Sequence, residues 1–429
     1  MLDGQTRGGA ATGHRVEFDL EYLPYAAPPE EAKGEEAKSA SPSPICELLA
    51  SYGPIEPEYA AIRRGAALFD ATFRGTIVVA GADRREFLQR MLTQDLAGLA
   101  PGKLARAFWL NRKGRIDADL TVAHLPARGG ESGGERILID VDRTRAAYVV
   151  ATLDRFVLSE DVQLADRSAE MHRLELHGPA AARILALAGA TAIPADNETT
   201  STEIGGKPVT LLRTDLLGER GWSIVAARED VGEVWDALLA ARDPHDERRR
   251  ARPIGWHAYN IARVEAGTPL FQIDFGTANV PHETGVLRDR VSFKKGCYLG
   301  QEIVARMESL GKPKQMLVGL RPSKDLLPVA GAQVFAMTGP QVAEAVGDDL
   351  SGAIGEQVGT VTSSTLAPML SAVPIAFAMI RTAHASTGTT LLVNAEGAQC
   401  TATVTPLRSW PPVDDGSAAA APGHGKEPR

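Results

Sequence analysis

The sequence predicts an α+β protein with a separate β-domain toward its C-terminal end, and two observations support this class. Two successive stretches show the same loose order of strand, helix and strand pair, which indicates two α+β units of similar make-up. Beyond Lys314 the pattern changes to short strands between Gly and Pro turns, which is typical of a small closed β-domain. We therefore expect three domains, at 45–165, 166–313 and 314–410.

The first unit is predicted from hydrophobic periodicity and from turn residues. Apolar residues at helical spacing indicate helices, and alternation of apolar with polar residues indicates strands. Helices are expected at 59–70, where the helix leads into a turn, at 84–92 and at 144–156. Strands are expected at 76–79, 107–110, 120–123 and 137–141.

The second unit and the C-terminal domain follow from the same two patterns. The second unit has expected strands at 174–178, 209–213 and 221–226 and expected helices at 179–188 and 230–241. The C-terminal domain has expected strands at 316–320, 332–336, 355–363, 375–380, 390–393 and 400–406. Because these strands are short and little helix lies between them, a closed barrel is expected.

The two ends of the chain have compositions that do not support a core. Residues 1–44 are poor in large apolar side chains, so we expect them to be disordered. Within them, 14–25 forms either a short docking strand or merely a less polar patch. Residues 411–429 are predicted to be a disordered tail rich in Pro, Gly and Ala.

Composition excludes several classes of protein. The formal net charge of −8 has the wrong sign for gripping nucleic acid over a broad face, so no direct nucleic-acid partner is expected. No apolar run approaches the roughly 20 residues that span a membrane, and no apolar core of a signal peptide is present. We therefore expect a cytoplasmic protein without a membrane partner. The three cysteines, Cys46, Cys297 and Cys400, are too dispersed for a zinc ion or an iron–sulfur cluster, so no metal is expected.

One cysteine stands in a distinctive local sequence. The stretch 293–307, FKKGCYLGQEIVARM, places Cys297 after Lys294 and Lys295 and ahead of a glycine-led helical start at Gln301. A helix N-terminus and nearby ammonium groups both stabilise a thiolate, so the spacing favours a reactive cysteine. The alternative is that Cys297 is a small buried apolar residue.

The residue order of this stretch and of three others carries a family resemblance. The segment KGCYLGQE, from Lys295 to Glu302, resembles the signature of the YgfZ-type folate-binding proteins, relatives of the T-protein of the glycine cleavage system, the tetrahydrofolate-dependent aminomethyltransferase. The other blocks, in the family's order, are FDATFRGTIVVAGADRREFLQRMLTQDLAGLAPGKLARAFWLNRKGRIDADL, TDLLGERGWSI and NIARVEAGTPLFQIDF. The resemblance extends from Glu58 to Pro406. It implies a three-domain cloverleaf, with two α+β domains and a C-terminal β-barrel, and a reduced folate bound where the domains meet.

The resemblance gives Glu219 a role in binding that folate. A pterin ring offers a nitrogen donor beside an exocyclic amine, and one carboxylate can accept both in a two-bond fork. Glu219 lies in the segment that is similar to the Thr-Gly-Glu-x-Gly segment of the aminomethyltransferases. The alternative is a turn carboxylate between Gly218 and Gly221 that faces water.

Two further residues lie in a block similar to the Arg-x-Glu-Ala-Gly segment of the family. We expect Arg263 and Glu265 in an extended or turn segment that ends at Gly267. By resemblance, Arg263 contacts the folate. The alternative is an internal ion pair that supports the junction between domains.

The remaining cofactor-binding candidates are aromatic or belong to the cysteine motif. Tyr259, Trp222 and Trp109 either supply a flat wall for the ring or are plain core residues. Lys295 and Gln301 of the motif are also assigned to the cofactor-binding set. The expected cofactor is tetrahydrofolate or a one-carbon derivative of it.

The candidate catalytic residues are Cys297, Asp117 and Asp119. The aminomethyltransferases carry adjacent aspartates after the glycine turn, one of which assists the reactive folate nitrogen, whereas here Ala118 separates the two. Aspartates one residue apart on a strand share a face, so either one can reach a ligand. The different spacing and the cysteine motif both favour the YgfZ-type branch.

The resemblance therefore predicts a tetrahydrofolate-binding accessory protein that supports assembly or repair of iron–sulfur enzymes, including enzymes that modify transfer RNA. Its expected partners are a reduced folate and iron–sulfur assembly or client proteins. Cys297 is interpreted as a thiolate facing the one-carbon position of the folate, as nucleophile or as transient ligand to sulfur or iron. The alternatives are a folate-dependent aminomethyltransferase or demethylase, and a protein that has lost its ligand and serves as a docking surface.

Overall fold

The computed structural model describes residues 20–25, 46–126, 135–244, 246–338 and 353–410. Within these ranges the chain forms two α+β domains followed by a closed β-barrel, so the predicted fold class is confirmed. The disorder expected at 1–19, 26–44 and 411–429 falls outside the described residues.

Strands and helices are numbered along the chain. In the described residues the strands are β1 (Tyr22–Tyr25), β2 (Cys46–Leu49), β3 (Ala66–Asp70), β4 (Arg74–Ala80), β5 (Leu104–Leu110), β6 (Ile116–Leu125), β7 (Arg136–Asp142), β8 (Gln163–Asp166), β9 (Met171–His177), β10 (Thr199–Ile204), β11 (Lys207–Arg213), β12 (Gly221–Ala227), β13 (Arg242–Asp243), β14 (Asp246–Ile254), β15 (Gln315–Pro322), β16 (Gln333–Met337), β17 (Ile354–Ala367), β18 (Val373–Arg381), β19 (Thr390–Ala395) and β20 (Ala398–Thr405). The α-helices there are α1 (Ile55–Arg64), α2 (Arg84–Met91), α3 (Ala146–Asp154), α4 (Ala181–Leu187), α5 (Val231–Ala240), α6 (Trp256–Glu265), α7 (Leu287–Arg290) and α8 (Gln301–Leu310). Short 3₁₀ turns occur at Arg143–Arg145, Pro281–Glu283, Pro368–Leu370 and Thr382–His384.

The strands form two main sheets and a barrel. The first sheet has the order β5-β6-β7-β4-β8, and the second has the order β10-β11-β12-β9-β3-β14-β13. Within the described residues, six strands close the barrel in the order β15-β18-β17-β16-β19-β20, because β15 pairs with both β18 and β20. Each of the six strands predicted for this domain is present.

The first sheet separates an apolar face from a mixed face. On β6, Ala118, Leu120 and Val122 pack with residues of α2 and α3, including Phe87 and Leu153. Phe87 is fully buried, and burying a side chain of this kind contributes about 1.5–3 kcal/mol. On the opposite face of the strand, Ala123 and Leu125 pack with Leu212 and Val225 of the second sheet, as alternation predicts.

The contact between the two sheets is apolar at one place and charged at another. Leu138 of the first sheet packs with Leu212 of the second. Two residues along the same strand, Asp140 accepts a hydrogen bond of 2.9 Å from Arg74 Nε, and Arg173 Nη1 lies 3.0 Å from the same oxygen. Burial opposes the charge of Arg74, yet the nearby Asp140 carboxylate raises its pKa above the ordinary value. Buried charges are tolerated here because they are paired.

Helices cover the outer face of the second sheet. Ile184 of α4 and Leu238 of α5 pack against Leu174 and Leu176 of β9. Their apolar positions face the sheet, as the sequence pattern predicts for amphipathic helices. Among the helices in the described ranges, none is both long enough and apolar enough to cross a membrane.

One predicted helix is half wrong. The helix expected at 59–70 ends at Arg64, and Ala66–Asp70 is the strand β3 instead. Ala and Leu favour helices intrinsically, but this segment pairs with both β9 and β14 and its first four residues are buried, and such tertiary pairing overrides propensity. As a result, a strand from within the range 45–165 belongs to the second sheet.

A short strand from the N-terminal region adds to the fold. Tyr22–Tyr25 pairs antiparallel with Cys46–Leu49, so the docking-strand alternative holds for these four residues. Tyr25 is buried, its hydroxyl donates to Asp142, and its ring lies 5.2 Å from that of Phe73. The strand is therefore held to β7 of the first sheet by a polar contact, and to the segment between β3 and β4 by an aromatic one.

Candidate functional site

Glu219 lies in the loop between β11 and β12, which we call the Glu219 loop (residues 214–221). Asp215 adopts a positive φ of 45° and its Oδ1 accepts from Gly221 N at 2.8 Å, which closes the base of the loop. Asp and Gly are the residue types that tolerate this backbone region, and Gly218 also has a positive φ of 80°. The loop is thus a compact turn that presents Glu219.

Arg63 of α1 organises the charged side of this loop. Its Nη1 donates to the Leu217 carbonyl at 2.7 Å and lies 3.6 Å from Glu219 Oε1, while its Nη2 donates to Glu265 Oε2 at 2.6 Å. The Glu219 side chain is 26% exposed. Burial raises its pKa, and the Arg63 charge acts in the opposite direction. Glu219 is therefore a half-buried, charge-paired carboxylate in a turn, and part of its surface stays open to water.

Glu265 corrects one prediction, since it ends the helix α6 and does not lie in an extended or turn segment. Ala258 and Ala262 lie one helical turn apart on the buried face of this helix, a spacing that favours a helix. Glu265 is fully buried and accepts from Tyr59 Oη at 2.5 Å as well as from Arg63. It also accepts from the Met369 backbone N–H at 3.3 Å, so it joins α1, α6 and the barrel region.

Arg263 lies in the same helix and is 1% exposed. Its Nη1 is 2.7 Å from Asp274 Oδ2, its Nη2 donates to Ser363 Oγ at 2.6 Å, and its Nε donates to Asn260 Oδ1 at 2.9 Å. This is the internal ion pair that the sequence left open as the alternative, with Ser363 contributed by the barrel. All three nitrogens of the buried guanidinium therefore donate to groups within the protein.

The predicted aromatic wall lies in the core. Tyr259 is fully buried, stacks on Phe69 at a ring distance of 4.3 Å and lies 5.7 Å from the ring of Trp256. Burial raises the pKa of Tyr259, and the Glu175 charge adds to this shift. Trp109 and Trp222 are also buried, each within the core of one sheet. The plain-core alternative describes all three rings as they stand.

The two candidate catalytic aspartates have different partners. Asp119 Oδ1 accepts from Arg290 Nε at 3.0 Å, which connects β6 to the end of α7. Asp117 Oδ1 accepts from Asn111 Nδ2 at 3.0 Å, and its Oδ2 accepts from Tyr148 Oη at 3.2 Å. The structure therefore connects Asp119 to the end of α7, and it connects Asp117 to Asn111 and to Tyr148 of α3.

A cleft of about 450 Å³ lies between β5 and the start of the Glu219 loop. Arg106 on its wall donates from Nη2 to the Thr214 carbonyl at 2.6 Å, and burial, together with the charge of Arg290, lowers the pKa of Arg106 to about 10. Thr214 Oγ1 is buried and has no hydrogen-bond partner among the described residues. Asp289, which precedes Arg290, also lines the cleft. The cleft thus combines a partly buried cation with an unsatisfied buried hydroxyl, as a ligand site would.

Cys297 lies in an irregular segment, residues 291–300, which we call the Cys297 segment. The thiol is free and exposed, so the buried apolar alternative is wrong for this cysteine. Lys295, two residues earlier, is buried, and its Nζ donates to the carbonyls of Gln89 at 2.5 Å, Leu92 at 2.6 Å and Gln94 at 2.9 Å. It caps the C-terminal end of α2, and burial lowers its pKa to about 8. The ammonium group is therefore occupied by carbonyl oxygens, which leaves no donor for a folate without breaking a bond.

The other end of this segment is fixed by close packing. Tyr298 is buried in an apolar cluster with Phe108. Gly300 has a φ of 78°, and a Cβ there would lie 2.7 Å from the Asn111 carbonyl oxygen, so only glycine fits. Gln301 follows as the first residue of α8 and is half-buried. Cys297 is therefore an exposed thiol between two anchored neighbours.

Sequence reasoning missed Arg63, Arg106 and Arg290. Arg63 occupies the polar side of an amphipathic helix and its partner Glu265 is 202 residues away, so no local spacing identifies the pair. Arg106 and Arg290 likewise meet Thr214 and Asp119 only through the fold. Groups of three or more His, Cys, Asp or Glu that could hold a metal ion are absent from the described residues.

Comparison with known proteins matches most of the chain to two domain families. The GCVT N-terminal domain matches residues 47–295, and the glycine cleavage T-protein C-terminal barrel domain matches residues 315–409. Cys297 lies between the two matched ranges.

Two similar bacterial proteins are named aminomethyltransferase. The chain is 29% identical to an aminomethyltransferase of Geobacillus kaustophilus, over 84% of this chain and 92% of that protein. It is 30% identical to an aminomethyltransferase of Symbiobacterium thermophilum, over 82% of this chain and 88% of that protein. The crystal structure of glycine cleavage system aminomethyltransferase T from Bartonella henselae has the same fold, with a TM-score of 0.69 at 23% identity, covering 85% of this chain and 92% of that one. The chain therefore belongs to the GCVT family, with the GCVT N-terminal domain followed by the glycine cleavage T-protein C-terminal barrel domain.

Proposed function

We propose that the protein binds a reduced folate through Glu219 and acts on the one-carbon unit that the folate carries, as an aminomethyltransferase-type enzyme. The observation that carries this proposal is the half-buried Glu219 carboxylate, held beside Arg63 in a closed turn. The relatives named aminomethyltransferase support the reaction class.

The chemistry of Glu219 fits a pterin. Arg63 lies against one carboxylate oxygen, and the side chain keeps part of its surface open to a second set of donors. A carboxylate can accept the ring N–H and the exocyclic amine of a pterin together. Because Arg63 is fixed by the Leu217 carbonyl and Glu265, the position of Glu219 is set before a ligand arrives.

The adjoining cleft fits a further part of the same ligand. Its volume of about 450 Å³ is within the range of small-molecule sites. Thr214 Oγ1 offers a buried hydroxyl without a partner among the described residues, and Arg106 offers a cation. We infer that these two residues contact polar atoms of the folate beyond the pterin.

Asp119 is the proposed proton-handling residue. A reduced folate supplies a ring nitrogen that carries the one-carbon unit. Arg290 holds the Asp119 carboxylate at 3.0 Å and thereby fixes its direction. A carboxylate held in this way can accept or return a proton during transfer of the one-carbon unit.

Calorimetric titration tests folate binding. The ligand is 5-formyltetrahydrofolate, a reduced folate that is stable in air, and the variants are Glu219→Gln and the exposed control Glu229→Gln. We expect the wild type and Glu229→Gln to bind equally and Glu219→Gln to bind at least tenfold more weakly, a loss of about 1.4 kcal/mol. Absence of binding by the wild type would overturn the proposal and favour the docking-surface alternative.

A second candidate function is the accessory role in iron–sulfur enzyme assembly or repair. The observation that favours it is Cys297, an exposed thiol between anchored neighbours that lies outside both matched domain ranges. The two functions differ in what Cys297→Ser does.

A paired experiment separates the two functions. The first arm measures transfer between an aminomethyl-bearing lipoyl carrier, or a methylated amine, and tetrahydrofolate. The second measures activity of iron–sulfur enzymes in cells that lack the protein and are supplied with wild type or Cys297→Ser. Turnover that survives the substitution supports the transferase. No turnover, with iron–sulfur enzyme activity restored by the wild type alone, supports the accessory role.

A further inference from the structure

A buried acid–imidazole pair lies directly behind the Glu219 loop. Glu175 and His177 occupy alternate positions on β9, with exposures of 1% and 0%. His177 Nε2 lies 3.0 Å from Glu175 Oε2. The ring of Tyr259 meets the imidazole edge to face at 6.3 Å. The imidazole is therefore held on two sides.

The third side of the imidazole is the backbone that follows Glu219. Gly221 is the cross-strand partner of His177, and a Cβ at Gly221 would lie 2.0 Å from His177 Nδ1 and 2.5 Å from its Cε1. The residue that follows β9 also takes part, because Gly178 N donates to the Arg220 carbonyl at 2.8 Å. The Arg220–Gly221 peptide, which follows Glu219 in the loop, thus lies against His177 at Gly221 and is hydrogen-bonded to Gly178.

The contact with Gly221 is one of shape and not a hydrogen bond. The Gly221 N–H is taken by Asp215, and His177 Nδ1 has no hydrogen-bond partner among the described residues. When Nε2 donates to an ionised Glu175, Nδ1 keeps a lone pair. A buried nitrogen without a partner is unfavourable for folding, so the contact with Gly221 is not one that a hydrogen bond maintains.

We propose that His177 is a positioning residue for Glu219. Its imidazole is the surface on which Arg220 and Gly221 rest, and it sets the direction in which the Glu219 carboxylate points toward the ligand. Glu175 holds the imidazole in that orientation. This inference rests on the proposed function, namely folate binding by Glu219.

The test is a cycle of variants titrated with 5-formyltetrahydrofolate. Gly221→Ala pushes a methyl group into the imidazole, so we expect affinity to fall at least about tenfold. His177→Ala removes the support, with an expected loss of about fivefold. In the double variant the methyl group enters the vacated space, so its loss is smaller than the product of the two single losses, as coupled neighbours require.

Three additions keep the test decisive. Gly232→Ala, at a helical glycine with open space around its Cβ position, should leave the affinity unchanged. His177→Gln keeps a donor toward Glu175 and much of the volume, so it should retain affinity within about threefold of the wild type. If Gly221→Ala does not fold, His177→Ala and His177→Gln still form a comparison. Melting temperatures measured alongside report on stability separately.

The outcomes separate this inference from the proposed function. No binding by the wild type removes the proposed function and the inference together. Binding that weakens in Glu219→Gln but is unchanged in His177→Ala and Gly221→Ala, whatever their melting temperatures, overturns the positioning role alone. Weakened binding with a less than multiplicative double variant supports it.

Discussion

The Glu219 loop and the Cys297 segment each hold one candidate functional side chain in place, but through different contacts. Both are irregular, and both present one candidate functional side chain. In the Glu219 loop that side chain belongs to the supporting network itself, since Glu219 lies 3.6 Å from Arg63, which also binds Glu265. In the Cys297 segment the support comes from the neighbours Lys295 and Tyr298, and the thiol stays exposed.

The difference teaches how the fold acts on each chemistry. Glu219 has its proton affinity altered by the protein, because burial raises its pKa and Arg63 opposes that shift. Cys297 is positioned by its buried neighbours, and its thiol is exposed to solvent. A ligand for Glu219 thus meets a prepared charge, whereas a partner of Cys297 meets a fixed but open position.

We expect the largest loss of stability from a substitution that breaks the charged network of the Glu219 loop. Arg63→Met leaves the fully buried Glu265 without its cation, and loss of one member of a buried ion pair costs about 3–5 kcal/mol. Urea unfolding followed by circular dichroism measures this change. The exposed neighbour substitution Arg64→Met is the matched control and should be close to the wild type. Equal stability of the two variants would mean that buried charge does not support this loop.

We expect the second largest loss of stability from a substitution of Lys295, which anchors the Cys297 segment. Lys295→Met leaves three carbonyls at the end of α2 without their donor, so we expect a loss of about 2 kcal/mol. Reaction of Cys297 with iodoacetamide should also change in rate, because its position is no longer fixed. Lys294→Met, at an exposed lysine, is the control. Unchanged stability and thiol reactivity in Lys295→Met would contradict the anchoring role.

The difference in stability between the wild type and Lys295→Met should depend on pH. Burial lowers the pKa of Lys295 to about 8, so the folded protein releases this proton at a pH where the unfolded chain, with a pKa of about 10.4, still holds it. The unfolded state then binds more protons, and stability of the wild type rises relative to Lys295→Met as pH increases through this window. A constant difference between pH 7 and 10 would argue against a buried, titrating Lys295.

A third and smaller effect sharpens the description of Glu219. The pterin fork requires an ionised carboxylate, and burial raises the pKa of Glu219. Folate affinity should therefore decline on acidification from a pH above the ordinary glutamate value, about tenfold for each pH unit below the raised pKa. The measurement is 5-formyltetrahydrofolate affinity between pH 4.5 and 8. Glu219→Gln should lack this decline, and an identical decline in both proteins would assign it to another group.

We expect the smallest change in stability from substitution of the exposed Cys297 thiol. Cys297→Ser changes an exposed atom and should alter the free energy of unfolding by less than about 0.5 kcal/mol. Cys46→Ser places a hydroxyl in a buried position and should cost more, about 1 kcal/mol. Thermal unfolding of both variants gives the comparison. A large loss in Cys297→Ser would show that the thiol itself supports the segment.

The barrel was the part of the fold best predicted from sequence. Its strands are bounded by Gly and Pro turns, so a local pattern was sufficient, as at 390–393, where the strand runs Thr390–Ala395. One segment failed for the opposite reason. The strand at Ala66–Asp70 depends on pairing with a distant strand, which a local pattern could not supply. The helix at Trp256–Glu265 does carry a local helical spacing of buried residues, at Ala258 and Ala262, which the prediction of an extended or turn segment overlooked.

The site shows the same division. A local motif was enough to single out Glu219 and Cys297, but not to find Arg63, whose contacts with Leu217 and Glu265 bring together distant parts of the chain. Lys295 was predicted in the cofactor-binding set, whereas its hydrogen bonds close the end of a helix that lies about 200 residues earlier. Whether it also contacts a ligand stays a prediction. Charge and position along the chain do not reveal which oxygens a buried lysine will reach.

The buried charges Arg263 and Glu265 of α6 determine whether the chain can be cut between α6 and the barrel. Arg263 donates to Ser363 and Glu265 accepts from the backbone of Met369, so the helix before the barrel depends on residues inside it. Both charges are buried. A shortened protein ending before Gln315 would remove one partner of each side chain, Ser363 for Arg263 and the Met369 backbone for Glu265. The barrel is therefore a structural part of the molecule's centre, and gene fusions or domain exchanges that cut the chain at this junction should yield poorly folded products.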